Sequence, residues 1–172
     1  MVRTALLFAL LAACGSSQDE RPLTIDYVTD AVLAPTCGSA ECHSTFRQSR
    51  GDIFDTVKGA RASLIDNGLV TFDSPDYNPA KPEQARLIQW VTQIDPYGLG
   101  IGRMPYDQPM PNEDIIFLEN FIAAGAPGAQ CDPAMFSGFA CNNTTQVRCT
   151  VDWEFGEVTQ QCASQCVNGA CQ

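Results

Sequence analysis

The chain has 172 residues, enough for one modest domain and an appendage. It carries 10 Lys and Arg against 20 Asp and Glu, a formal charge of −10. That balance excludes the basic footprint that nucleic-acid binding requires and leaves two roles for the surface charge of equal standing, long-range attraction toward a basic partner or simple solubility.

In chain order, Met1-Val2-Arg3 is followed by an apolar run from Ala5 to Ala13 and then by Cys14. One positive charge, a short apolar stretch and small residues make an export signal. The run is shorter than the roughly 20 apolar residues that a membrane-spanning helix needs. Leu11-Ala12-Ala13-Cys14 resembles the lipobox of bacterial lipoproteins. The resemblance implies cleavage before Cys14 and acylation of its thiol. Gly15 stands where such proteins carry Asp when they stay in the inner membrane, so an outer-membrane destination, facing the periplasm or the cell surface, is expected. An exported chain meets an oxidising compartment, where its nine cysteines need partners. Cys14 takes lipid, Cys37 and Cys42 form one close pair, and Cys131, Cys141, Cys149, Cys162, Cys166 and Cys171 form a cluster of their own, leaving no orphan thiol.

Gly15 to Pro22 is polar and reads as a tether. Ile25 to Ala34 has helical apolar spacing at Tyr27, Val28, Ala31, Val32 and Ala34, with Pro35 as its stop. A tight loop, Cys37 to His43, follows. Asp55 to Ile65 is the next helix, ended by Asn67-Gly68. Asp73 to Pro82 is a loop, Pro82 to Ile94 a helix, and Asp95 to Pro111 a loop rich in Gly and Pro. Glu113 to Ala124 is the strongest helix, with Ile115, Leu118, Phe121 and Ile122 on one face and Gly125 then Pro127 as its stop. From Cys131 the composition changes. About forty residues with six cysteines are too few for a sufficient core and need covalent staples. Val147 to Val151 and Glu154 to Val158 are short strand candidates, Trp153 and Phe155 would form a miniature core, and six cysteines allow 15 pairings.

The segment that carries chemistry is Cys37-Gly38-Ser39-Ala40-Glu41-Cys42-His43. Attaching a c-type haem takes two thiols for its vinyl groups and a histidine directly after the second thiol, beneath the iron. Cys37 and Cys42 supply the thiols and His43, the only histidine, supplies the imidazole. Four residues separate the cysteines instead of the usual two, so the loop must bulge, which Gly38 and Ser39 ease. A second histidine ligand from this chain is excluded. The sixth ligand would be methionine, another group, or nothing; the methionines after the signal are Met104, in Gly102-Arg103-Met104-Pro105, Met110 before Pro111, and Met135, which lies beyond the domain boundary. Phe117, Leu118, Phe121 and Ile122 would wall the haem.

In this order of motifs the chain resembles a c-type cytochrome domain of secreted bacterial proteins, including those of myxobacteria. The residues that carry the resemblance are Ala31 to Pro35, Cys37, Cys42, His43, Leu69-Val70, Pro82 to Val91, Met104-Pro105 and Phe121 to Pro127. It departs in its four-residue spacer and in Phe121, where the family often has Trp. The resemblance implies an all-α cytochrome c fold at residues 24–129, one covalent haem c with His43 and Met104 as axial ligands, and an electron carrier, not an enzyme. Methionine ligation raises the reduction potential and argues, weakly, against peroxidase-like chemistry, which needs an open or displaceable sixth position. The expected division is 1–13 signal peptide, 14–23 tether, 24–129 cytochrome c-like domain, and 130–172 a disulfide-rich module with little regular structure. The expected partners are redox proteins, basic ones favoured by the charge, and the membrane through the lipid anchor. The rival is a haem-free surface lipoprotein, a binding or structural module in which Cys37 and Cys42 form a disulfide. Structural zinc, which wants four Cys/His ligands, and a Cys–His nucleophile find less support.

Overall fold

The computed structural model describes residues 19–70 and 80–172. The lipidation expected at Cys14 and most of the loop expected from Asp73 fall outside those residues. Among the described residues no helix is long and apolar enough to cross a membrane.

Four helical elements form the first part of the chain among the described residues. Helix α1 passes without a break through Ile25–Val28, a π-turn at Thr29–Leu33 and a last turn at Ala34–Thr36. Thr24 caps it, accepting from the Tyr27 N–H at 3.4 Å. Pro35 does not stop this helix. The wide turn before it, in which the Ala34 N–H donates to Thr29 O, accommodates a ring that would clash with the carbonyl four residues back in a regular helix. Helix α2, Val57–Ile65, starts at Thr56, whose hydroxyl accepts from the Gly59 N–H at 3.2 Å. Helix α3, Arg86–Thr92, follows a 3-10 turn at Pro82–Gln84. The two are separated at Ala85, which is extended, and the Leu87 N–H donates across to Leu69 O at 3.1 Å. Helix α4, Asn112–Ala123, buries Phe117, Leu118, Phe121 and Ile122. It ends in a Schellman motif: Gly125 has φ +86, its N–H donates to Ile122 O, and the Ala126 N–H donates to Phe121 O. The helices enclose one apolar core, in which Ile25, Val28, Leu33, Leu64, Ile88, Phe117 and Phe121 are almost wholly buried.

The second part corrects the all-α expectation. Strands β1 (Phe139–Asn142), β2 (Thr145–Cys149) and β3 (Phe155–Gln161) make an antiparallel sheet in that order, and β4 (Cys166–Val167) pairs with β5 (Ala170–Cys171) in a small hairpin. Cys141 lies opposite Gln146, and Val147 opposite Val158. The β4–β5 turn is Asn168-Gly169, both residues with positive φ, as a two-residue hairpin loop of the primed kind demands. The chain is therefore helices followed by antiparallel strands, and its cysteine-rich segment is regular where little structure was expected.

Three disulfides hold that segment: Cys131–Cys149, Cys141–Cys166 and Cys162–Cys171, with Cα separations of 5.9, 5.5 and 5.0 Å. Its own buried cluster is Cys141, Cys162 and Cys166, with Cys171 against them. Trp153 and Phe155 are not its miniature core. Phe155 packs onto the helical core instead, and the Trp153 carbonyl accepts from the N–H groups of Gln130 and Cys131. Gln130 is the clasp between the parts: its amide nitrogen donates to Gly125 O at 3.0 Å and its amide oxygen accepts from the Phe155 N–H at 2.8 Å.

Candidate haem-attachment turn

The turn from Cys37 to His43 hangs from the C-terminus of α1 and is closed by its own backbone. Cys37 and Gly38 donate back to Leu33 O, the Cys42 N–H to Ser39 O, and the His43 N–H to Cys37 O at 3.1 Å. Both ends of the turn are thus tied to Cys37. Gly38 lies so close to its neighbours that a Cβ there would stand 2.9 Å from both Ala34 O and Asp55 N. The glycine is required by this approach of α1 to the 53–55 segment, and not by the bulge alone. Asp55 braces the far side, accepting from the Thr45 N–H at 2.9 Å and the Thr45 hydroxyl at 2.8 Å.

His43 is held on every polar atom but one. Its N–H and carbonyl are bonded to Cys37 O and to the Phe54 N–H, and its ring meets the Phe54 ring edge-on at 5.5 Å. Nδ1 lies 3.0 Å from Ser49 O. A carbonyl only accepts, so Nδ1 carries the proton and the neutral ring has its lone pair on Nε2. Among the described residues no protein donor takes that lone pair. Asp52 adds a carboxylate 4.0 Å from Nδ1 and is itself held by the Asn67 amide at 2.7 Å. A carbonyl or carboxylate on one ring nitrogen, with the other open, is the arrangement that orients a metal-binding imidazole.

The two thiols are both free, in contrast to the six paired cysteines, and their surroundings differ. Cys42 is exposed. Cys37 belongs to the apolar core, and burial, helped by the neighbouring Cys42, pushes its thiol up to about 12. The donor chemistry fits a haem, which Cys37 and Cys42 would hold covalently and His43 would ligate: two reduced thiols and one imidazole with a fixed tautomer, all in one turn.

Met104 sits in the loop after α3, half-buried, its N–H donating to Trp90 O at 2.9 Å. No hydrogen bond joins the Met104 and His43 segments among the described residues, although both border the same core through Cys37, Phe54, Trp90 and Val91. Met110 is buried in that core and Met135 is exposed on the cysteine-rich part. Phe117, Leu118, Phe121 and Ile122 are buried to within 1%, so the face expected to wall a haem is packed against protein. Five large residues of apolar character stand exposed on the two candidate loops: Phe46 three residues past His43, and Ile94, Tyr97, Leu99 and Tyr106 around Met104. No group of three or more His, Cys, Asp or Glu side chains is arranged to hold a bare metal ion among the described residues. The bracing of His43 by Ser49 O and Asp52 was not readable in advance, because neither belongs to a motif; only the fold brings them to Nδ1. The chain matches no protein-family model, no curated protein and no solved structure.

Proposed function

We propose that this chain is a single-haem c-type cytochrome that carries electrons in the cell envelope. The observation that carries the reading is the state of His43: directly after a free cysteine, with Nδ1 committed to Ser49 O and Nε2 left as an open lone pair. Cys37 and Cys42 would hold the porphyrin as thioethers, His43 would be one axial ligand and Met104 the other. When bound, the haem supplies a one-electron ferric–ferrous couple, accepting an electron from one partner and passing it to the next. The protein's own part is to fix the imidazole by its Nδ1 hydrogen bond, to place Asp52 where its charge adds to the basicity of the ring, and to offer uncovered apolar residues on both flanking loops for the porphyrin to bury. Export, acylation at Cys14 and attachment to the outer membrane belong to the same reading. So does a basic redox partner, which a surface of charge −10 attracts.

Expression of the full chain with haem-attachment machinery tests this. The expected product is red, carries the mass of one haem through denaturation, and shows a low-spin spectrum. Met104→Ala should abolish the methionine signature of that spectrum. Met110→Ala should leave it intact but destabilise the fold by about 2–5 kcal/mol, as truncation of a buried methionine does. A colourless, properly exported product with Cys37 and Cys42 bonded to each other overturns the proposal.

A further inference from the structure

A cleft of about 210 Å³ opens between the C-terminal end of α2 and the cysteine-rich part. It lies away from the His43 turn and shares none of its residues. One wall is Ile65, Asp66 and Val70; the other includes Asp132, Met135 and Phe136. Its chemistry is lopsided. Among the described residues no Lys, Arg or His lines it, yet it holds two carboxylates, and neither has an ion-pair partner there. Asp132 spends one oxygen on the Ala134 N–H at 2.7 Å and keeps the other. The Asp66 carboxylate accepts no hydrogen bond among the described residues. Partial burial raises its pKa, and the negative charge of Asp132 raises it further, so the two carboxylates feel each other with nothing positive between them.

Apart from Gln130 and Asn168, the remaining lining is largely apolar and adaptable. Met135 and Phe136 are 39% and 49% exposed, large side chains left open at the mouth of a cavity. The two neighbouring aromatics differ: the Phe139 ring already has the Arg148 guanidinium over it at 4.7 Å, whereas no such partner covers Phe136 among the described residues. A free aromatic face beside two carboxylates attracts a cation both by charge and through the ring's quadrupole, and a methionine thioether fills around an irregular apolar body. Gln130, which also lines the cleft, has both ends of its amide committed to Gly125 and Phe155, so the carboxylates are left to select the ligand.

We propose that this cleft is a binding site for a small organic ammonium compound with an apolar body. The charged head sits between Asp66 and Asp132, and the body lies along Phe136, Met135, Ile65 and Val70. Charge complementarity names the occupant: the cavity is too small for a folded partner, its only charged lining groups among the described residues are carboxylates, and most of the rest of its lining is apolar. The site also gives the cysteine-rich part a role, since that part supplies one whole wall, and it stands whether or not the chain carries haem.

The test is a titration of the full mature chain with phenethylammonium chloride, read by NMR, with 2-phenylethanol as the neutral counterpart. Saturable shifts at Ile65, Val70 and Met135 are expected, with the alcohol at least tenfold weaker. Asp66→Asn and Asp132→Asn should each weaken the ammonium at least fivefold while leaving the rest of the spectrum in place. The asparagine at 132 keeps the acceptor for Ala134, so the variant isolates the charge. Equal affinity for the alcohol, shifts that lie outside the cleft, or affinity unchanged in both variants overturns the proposal. Binding of a lysine-containing peptide without binding of phenethylammonium would overturn it in favour of a basic side chain from a partner protein.

Discussion

At the scale of single residues, the buried thiol of Cys37 has a consequence that separates the haem-free chain from the loaded one. Its pKa is pushed from the ordinary 9.0 to about 12, first by burial and then by the neighbouring Cys42. In the folded chain the thiol therefore keeps its proton through a range where the unfolded chain has lost it. Below pH 9 both states are protonated and the group contributes its full stability. As pH rises from 9 toward 12 the unfolded state binds fewer protons and that contribution is lost. Urea denaturation of the haem-free chain, followed by tryptophan fluorescence, should show a midpoint that falls over this range more steeply than in Cys37→Ala. The excess should be on the order of a few kcal/mol by pH 12. In the haem-attached protein the sulfur has no proton to lose, and the difference should vanish. Superimposable midpoints for the chain and Cys37→Ala would show that the thiol is not shielded. The motif Cys37, Cys42 and His43 was fully legible in the sequence, because its three residues are near neighbours in the chain. The unequal burial of its thiols was not, because that depends on the helical core closing around Cys37 and leaving Cys42 outside.

At the scale of elements, the helices were legible and the strands only in part: the candidates Val147 to Val151 and Glu154 to Val158 fall on β2 and β3, whereas β1, β4 and β5 had no counterpart. Apolar spacing near 3.6 residues, threonine caps and the Gly125 stop mark helices locally, and α2 and α4 start and end within a residue or two of where those signals place them. In the cysteine-rich part the cysteines themselves occupy the inward positions that alternating aliphatics usually fill, so the pattern of a strand is masked. The Asn168-Gly169 turn between Val167 and Ala170 is a hairpin signal, but the strands it joins are two residues each, too short to show an alternating pattern. Helix α1 shows the opposite error: proline is a stop only where the turn before it cannot widen. The N-terminus of α4 carries a contact that no local rule reveals. Arg21 donates to Asp114 at 2.6 Å and to Glu113 O at 2.7 Å, and its guanidinium lies 4.2 Å from the centre of the Phe117 ring. Together with Asp19, its strongest partner, these contacts hold Arg21 firmly charged and tie the incoming chain to the helix. Arg21→Ala should cost about 1–2 kcal/mol in urea denaturation, since the group is partly exposed and screened. Arg21→Lys should recover less than half, because a single ammonium cannot serve carboxylate, carbonyl and ring together. Full recovery by lysine would reduce the contact to simple charge.

At the scale of the whole molecule, two parts of different construction share one junction. The helices bury a contiguous apolar core, and the strands have chiefly their disulfides, so the second part depends on the first for apolar cover through Phe155. Ala126 and Ala129, at the end of the helical part, are fully buried, and Cys131 nearly so, which places the Cys131–Cys149 bridge at the seam. The Cys162–Cys171 bridge instead closes a short loop around β4 and β5, with a sequence separation of 9 against 18. Loop-closure entropy alone gives the two bridges similar weights, about 3 kcal/mol each, so their difference should show in where the molecule opens and less in how much stability it loses. Replacing Cys131 and Cys149 together by alanine should speed amide hydrogen exchange at Gln130 and Phe155 and carry the change into the last turn of α4, because the clasp made by Gln130 loses its anchor. Replacing Cys162 and Cys171 should speed exchange in β4 and β5 and leave α4 as it was. Equal exchange patterns in the two double variants would mean that the strands and helices unfold as one unit, and that the bridge at the seam holds nothing the apolar contact does not already hold.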